Sequence, residues 1–252
     1  MENICLENLQ IKHVIMSRGR HRQITTHKLV PKATLVVPTN EVELYRPLGM
    51  PILAIPPEVT GISALRNWII PRFPEEVVII YDDDLIRCLT VCSMRQRTLS
   101  PEEIEAMVEN TAYCAKGAGA RVFGWNQRPD PRVLQKNDPF HTTMWVGGAI
   151  GIIGKDVVWD RLLKFKCDID RCLTELLETR IVWQERRFCF KQHRDKNMGG
   201  NSLFRSPEKI ESEKRYLKGK WKAHVELSAC ATQDLVKIIV TRKQKVDLPA
   251  QK

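Results

Sequence analysis

With 252 residues, 43% of them hydrophobic and 28% charged, the chain can bury one large core and carry an appendage. No stretch of about 18 apolar residues is present, which excludes a spanning helix, and the acidic start Met1-Glu2-Asn3-Ile4-Cys5-Leu6-Glu7 is unlike a secretory signal. Eight cysteines without a CxxC pair or zinc spacing exclude a disulfide framework and fit a reduced cytoplasm, and the net charge of +10 points to an anionic partner.

Along the first half, short apolar runs alternate with helical patterns, the signature of βαβ units around a mostly parallel sheet. Lys12-His13-Val14-Ile15-Met16 reads as a strand running into Ser17-Arg18-Gly19-Arg20. Thr34 to Val37 is a second strand, stopped by Pro38, and Ile52 to Ile55 a third, stopped by Pro56-Pro57. From Gly61 to Phe73 the apolar residues Ile62, Leu65, Trp68 and Ile69 share one helical face. The β-branched run Val77-Val78-Ile79-Ile80 then reads as a fully buried strand that ends on Tyr81-Asp82-Asp83-Asp84.

Those three carboxylates are the most informative residues in the chain. Crowded at a strand end, they repel one another unless a cation sits among them. Mg²⁺ and Mn²⁺ take hard oxygen ligands and are commonly shared between carboxylates and a substrate diphosphate. In open α/β sheets, ligands bind beyond the carboxyl ends of strands. Ser17, Arg18 and Arg20 end the first strand at the same rim, and guanidinium groups suit the oxygens of a diphosphate. Arg66, on the helix before the acidic strand, is a further candidate for phosphate or sugar.

Farther on, Ser100-Pro101-Glu102-Glu103 predicts a capped helix start, with the helix running to about Lys116 and ending at Gly117. Arg121 to Trp125 reads as a strand, Asn126 to Pro139 as a loop, and Thr143 to Ile153 as one long buried strand containing Gly147-Gly148. Asp168-Ile169-Asp170 opens a helix whose Leu173, Leu176, Leu177 and Ile181 face one side. Lys191 to about Arg215 reads as a mobile loop, Val236 to Thr241 as a late strand or helix, and the tail beyond Lys243 as disordered. Between Arg180 and Lys222, thirteen Lys and Arg stand against five Asp and Glu, interleaved with Phe188, Phe190, Phe204, Tyr216 and Trp221. Cations with stacking faces form a nucleic-acid footprint. Arg186, Arg187, Lys191, Arg194 and Lys196 are its candidate contacts.

In order, the serine-arginine strand end, Ala64-Leu65-Arg66-Asn67, Tyr81-Asp82-Asp83-Asp84, Trp145-Val146-Gly147-Gly148, Asp168-Ile169-Asp170, Arg187-Phe188-Cys189-Phe190 and Gly199-Gly200 resemble GT-A fold glycosyltransferases with a DxD motif. They look most like the TET/JBP-associated enzymes of phages and kinetoplastids, over roughly residues 12 to 205. The resemblance implies an α/β, GT-A type, Rossmann-like sheet flanked by helices, as one domain over 1–205 with a basic extension over 206–252. It also implies transfer of a sugar from a nucleoside diphosphate, UDP-glucose by preference, to a hydroxymethylated pyrimidine in DNA, with Mn²⁺ or Mg²⁺ as cofactor. Asp82 and Asp84 would hold the metal, with His193 as a third ligand. Asp83 would touch ribose or sugar, Ser17, Arg18 and Arg20 the nucleotide, and Gly147-Gly148 the donor sugar or acceptor.

An inverting transfer needs a carboxylate to take the acceptor's proton. Asp170 is the expected base, with Asp168 the alternative or a structural N-cap. A small-molecule, glycan or protein acceptor, or a non-catalytic DNA-binding module, are the competing readings.

Overall fold

A computed structural model describes residues 9–92, 96–127, 129–130, 138–193, 206–227 and 236–240. Nine strands form the central sheet: β1 (Ile11–Met16), β2 (Thr34–Pro38), β3 (Ile52–Ile55), β4 (Val77–Asp82), β5 (Leu85–Thr90), β6 (Val122–Asn126), β7 (Phe140–His141), β8 (Ala149–Ile153) and β9 (Trp183–Gln192). The path runs β3-β2-β1-β4-β8-β6-β9-β5, with β7 beside β9. Pairings from β3 to β4 are parallel, as the alternating sequence predicts; beyond β4 the sheet turns mixed, because β8 runs antiparallel to both β4 and β6.

Five helices cover the two faces: α1 (Val42–Tyr45), α2 (Ile62–Ile69), α3 (Pro101–Gly117), α4 (Cys167–Glu178) and α5 (Pro207–Trp221). On the α3 side the core gathers Ile15, Leu35, Ile79, Tyr81, Ile104, Val108, Phe123 and Trp125. On the other side Val14, Val36, Val78, Ile80 and Ile152 pack with Ile69, Leu173 and Leu176. Successive residues of β4 thus feed opposite cores, which is why Val77 to Tyr81 is apolar without alternation. The predicted capping box at Ser100 and Glu103 is formed, and α3 ends at Gly117.

Several sequence expectations are corrected. The strand expected over Thr143 to Ile153 begins only at Ala149, because Gly148 takes a φ of +73°, which breaks extended pairing. The stretch around Arg187-Phe188-Cys189-Phe190 lies inside the ten-residue β9. What read as a mobile loop from Lys191 begins as the end of that strand, and from Pro207 it is the helix α5, capped by Ser206. Two short strands, β10 (Val225–Leu227) and β11 (Val236–Ile238), follow as an antiparallel pair. Leu217, Val225 and Val236 are buried in the α4-side core, so the described part of the 206–252 segment packs on the sheet domain. No helix among the described residues is long and apolar enough to cross a membrane.

One connection shapes the whole sheet. β4 and β5 are joined through Asp83 and Asp84 alone, yet three strands lie between them in the sheet order. Four strand spacings would put them about 19 Å apart in a flat sheet. Three residue steps reach at most about 11 Å. The sheet resolves this by curling. The start of β9 pairs parallel with β6, the register shifts, and its end from Phe188 to Gln192 pairs antiparallel with β5. The rim is thereby folded back over the middle, beside the acidic turn.

Candidate active site

The acidic turn is held through its backbone. Thr25 and Thr26 donate their N–H groups to the Asp83 carbonyl at 3.0 and 3.3 Å. The Thr26 hydroxyl donates to the Asp82 carbonyl at 2.6 Å and accepts from the Leu85 N–H at 2.9 Å. The Asp82 N–H donates to the Gly148 carbonyl at 2.8 Å, and the Asp84 carbonyl accepts from the His193 N–H at 3.0 Å. With the main chain fixed on both sides, the three carboxylates take separate directions.

Asp83 turns inward. It is 4% exposed and accepts from Ser17 Oγ at 2.6 Å and from Arg20 Nη1 at 2.7 Å. Ser17 Oγ also lies 2.7 Å from the Tyr45 hydroxyl, which accepts from the Arg20 N–H at 3.1 Å. Burial raises the Tyr45 phenol above its ordinary value, against its hydrogen bonds. Asp83 and Ser17, expected at the sugar nucleotide, are both buried and hydrogen-bonded to the chain itself. They brace the end of β1 against the end of β4. Arg18, half-buried, stays at the rim, and Arg20 Nη1 reaches Asp84 Oδ2 at 3.7 Å as well as Asp83.

Asp82 turns toward the other half of the sheet, where its Oδ2 accepts from Gln192 Nε2 at 2.7 Å. Burial pushes its carboxyl up to about 7; the Arg66 guanidinium pulls against this, and the charges of Asp84, Asp168 and Asp83 reinforce it. Arg66 is 2% exposed, donates through Nη1 to Asp168 Oδ1 and to Cys167 Sγ, and lies against the Trp159 ring. Burial alone would lower it, but Asp168, Cys167 and Asp82 together hold it above its ordinary value. Arg66, expected at phosphate or sugar, is therefore buried behind the acidic cluster, where it orients Asp168.

Asp168 and Asp170, both in the first turn of α4, part company. The Asp168 side chain is 25% exposed, and its Oδ2 lies 3.2 Å from where a Cβ on Gly147 would stand. Asp170 is 3% exposed, and its Oδ1 accepts from Trp221 Nε1 at 2.8 Å and from Lys220 Nζ at 2.7 Å. Asp170, the expected base, fastens α5 to α4. Of the two, Asp168 is the more exposed and lies beside Gly147.

Gly147 and Gly148 form the wall between these groups. A side chain at Gly147 would press on Gln127, Asp168 and Trp145, and one at Gly148 would meet the Gln192 amide at 2.9 Å. Sequence reasoning missed Thr26, Tyr45, Gln127 and Gln192. They have no motif of their own, and only the topology brings them to the acidic turn.

Two carboxylates, Asp82 and Asp84, offer hard oxygen to a divalent cation; burial raises Asp82 first, the neighbouring carboxylates add to it, and a cation would relieve that added repulsion. Among the described residues no three His, Cys, Asp or Glu side chains are grouped to hold a metal. The expected third ligand, His193, is exposed and reaches Asp84 through its backbone N–H, so it does not complete a set of three. A cation here would draw its remaining ligands from a bound diphosphate or water, the habit of Mg²⁺.

The expected DNA contacts are largely engaged within the protein. Arg186 is 9% exposed, donates to the Asp138 carbonyl at 3.3 Å and lies 3.7 Å from its carboxylate. Arg187 grips the buried Glu185 through Nε and Nη2 at 2.8 and 2.9 Å. Both have partners within the protein, with Arg186 buried and Arg187 still partly exposed. Lys191 is half-buried on β9 opposite Arg87, and Arg194, Lys196 and Gly199-Gly200 lie outside the described residues.

No family model and no curated protein matches the chain. Solved structures do. Glucosyl-3-phosphoglycerate synthase of Mycobacterium tuberculosis, in complex with Mn²⁺, UDP-glucose and phosphoglyceric acid, superposes with a TM-score of 0.54 at 12% identity, over 86% of this chain and 83% of that one. The same enzyme with Mg²⁺ and UDP gives 0.54 and 12%, over 86% and 82%. A further structure of it gives 0.54 and 13%, over 89% and 86%. At this identity the likeness is one of fold: the chain has the GT-A glycosyltransferase architecture.

Proposed function

We propose that the protein is a metal-dependent glycosyltransferase that moves a sugar from a nucleoside diphosphate, UDP-glucose by preference, to a hydroxyl acceptor. The observation that carries this reading is the acidic turn. Asp82 and Asp84 stand at the carboxyl end of a central strand, with Asp82 raised by burial and by its neighbours' charge and Asp168 across the crevice. The solved structures of the same fold hold Mn²⁺ or Mg²⁺ with UDP or UDP-glucose, which supports the donor assignment.

In this reading Asp82 and Asp84 hold Mn²⁺ or Mg²⁺, which when bound neutralises charge on the departing diphosphate. Arg18 and Arg20 at the same rim add positive potential for the phosphates. Gly147 and Gly148, whose missing side chains leave room for Asp168 and the Gln192 amide, let those groups pack beside the acidic turn. Asp168, oriented by Arg66, takes the proton from the acceptor hydroxyl as it attacks the anomeric carbon. Asp168→Asn should therefore lower kcat by about 10²–10⁴-fold with little change in donor affinity, measured by steady-state kinetics.

For the acceptor, the resemblance of the motif set and the net charge of +10 support a hydroxymethylated pyrimidine in DNA. A small anionic acceptor is the second reading, since the structural neighbours were solved with phosphoglyceric acid. Incubation with nucleotide sugars, Mn²⁺, and hydroxymethylated or plain DNA, read by nucleoside mass spectrometry, separates the two. A gain of one hexose on the hydroxymethylated strand alone supports DNA. Donor turnover only with phosphorylated small hydroxy acids supports the second reading. Absence of donor cleavage with any acceptor, in wild type and Asp84→Asn alike, refutes sugar transfer.

A further inference from the structure

Gln192 closes β9 and is not part of any sequence motif. Its Nε2 donates to Asp82 Oδ2 at 2.7 Å. The same amide group fills the space beside Gly148: a Cβ there would stand 2.9 Å from Nε2 and 3.1 Å from Cδ. Gly148 in turn accepts the Asp82 N–H through its carbonyl at 2.8 Å. The main chain of Asp82 is thus fixed by Gly148 and Thr26, and its side chain by Gln192, with Gly148 packed against the glutamine. Removing the glutamine amide leaves the carboxylate free to rotate about its own side-chain bonds.

A glutamine at this position has a particular chemical consequence. An amide N–H takes one carboxylate oxygen without adding charge. A lysine or arginine there would compete with a cation for Asp82, and a glutamate would add to a cluster already strained by its own repulsion. Among the described residues no hydrogen bond reaches Asp82 Oδ1, so the bond to Oδ2 fixes the plane of the carboxylate and presents the second oxygen. Outer partners that orient ligating carboxylates raise metal affinity, and their loss typically costs about 10–100-fold.

Resting on the proposed metal-dependent transfer, we infer that Gln192 is the positioning residue of the metal centre: its amide orients Asp82 and sets the affinity of the site for a divalent cation. Through β9 it also ties this affinity to the curled rim of the sheet, since the residues just before it pair with β5.

The test is Mn²⁺ binding, followed by electron paramagnetic resonance of the free ion with and without UDP, for wild type, Gln192→Met, Gln192→Ala and Asp82→Asn. Methionine keeps length and packing and lacks the donor, so folding is checked by an unchanged melting temperature in the metal-free protein. The expected result is a Kd for Mn²⁺ about tenfold weaker in both Gln192 variants, with Asp82→Asn weaker still and insensitive to a second change at Gln192. Wild-type affinity in folded Gln192→Met overturns the inference and leaves the transferase reading standing. No Mn²⁺ binding by wild type even with UDP overturns both.

Discussion

Asp82 is a carboxyl that the fold makes uncomfortable. Its raised value has a defined sign for stability. The unfolded chain ionises it near the ordinary value of 3.8, while the metal-free folded protein ionises it only near 7. The folded state is thus favoured by proton binding below the lower value, and this contribution fades as pH rises through the higher one. We expect the melting temperature of the metal-free protein to fall between about pH 5 and pH 8, and Asp82→Asn to remove much of that fall. Mn²⁺ should restore the wild type at pH 8 more than at pH 5, which thermal scans at the two pH values would show. Arg187 makes the opposite case. Its partner Glu185 is 1% exposed, so Arg187→Ala leaves a buried charge without its grip. Because Arg187 itself is 42% exposed, water offsets part of the loss, and we expect about 1–3 kcal/mol of destabilisation by urea titration.

Among the elements, the sequence was most readable where local signals agreed. β2 to β4 are apolar runs closed by proline or acid, β1 is one that ends at Ser17, and α3 carries its capping box, so their positions follow from pattern alone. It was least readable in β9. Gln184, Glu185 and Arg186 are polar yet buried, because Gln184 donates to the Trp145 carbonyl, Glu185 accepts from Arg187 and Arg186 meets Asp138. Two of these three partners are distant in sequence, so pattern alone does not mark the strand. For Asp168 and Asp170 likewise, nothing local distinguishes the residue that meets Arg66 from the one that meets Lys220. That second contact belongs to α5, which also places Glu213 against the N–H groups of Lys164, Phe165 and Lys166 at 2.7, 2.9 and 3.1 Å. Glu213→Ala leaves three N–H groups at the entrance of α4 without their acceptor. We expect a loss of about 1–3 kcal/mol and faster amide exchange at residues 164–168, read by hydrogen–deuterium exchange.

For the molecule as a whole, the net charge of +10 bears on the acceptor rather than on the fold. With Arg186 and Arg187 internally engaged, the exposed Lys209 and Arg215 of α5 are better placed to meet phosphates. If DNA is the acceptor, replacing both by alanine should weaken DNA binding and reduce the salt slope by about 2, with the melting temperature unchanged. Fluorescence anisotropy across a salt series would measure this. Equal binding at every salt concentration would remove α5 from the interface.

The two-residue bridge between β4 and β5 makes the acidic turn a tether as well as a ligand platform. It is too short to let the sheet lie flat, so the same two residues that carry carboxylates also dictate how far the rim must curl, and the bent β9 follows that curl from the middle of the sheet to its edge.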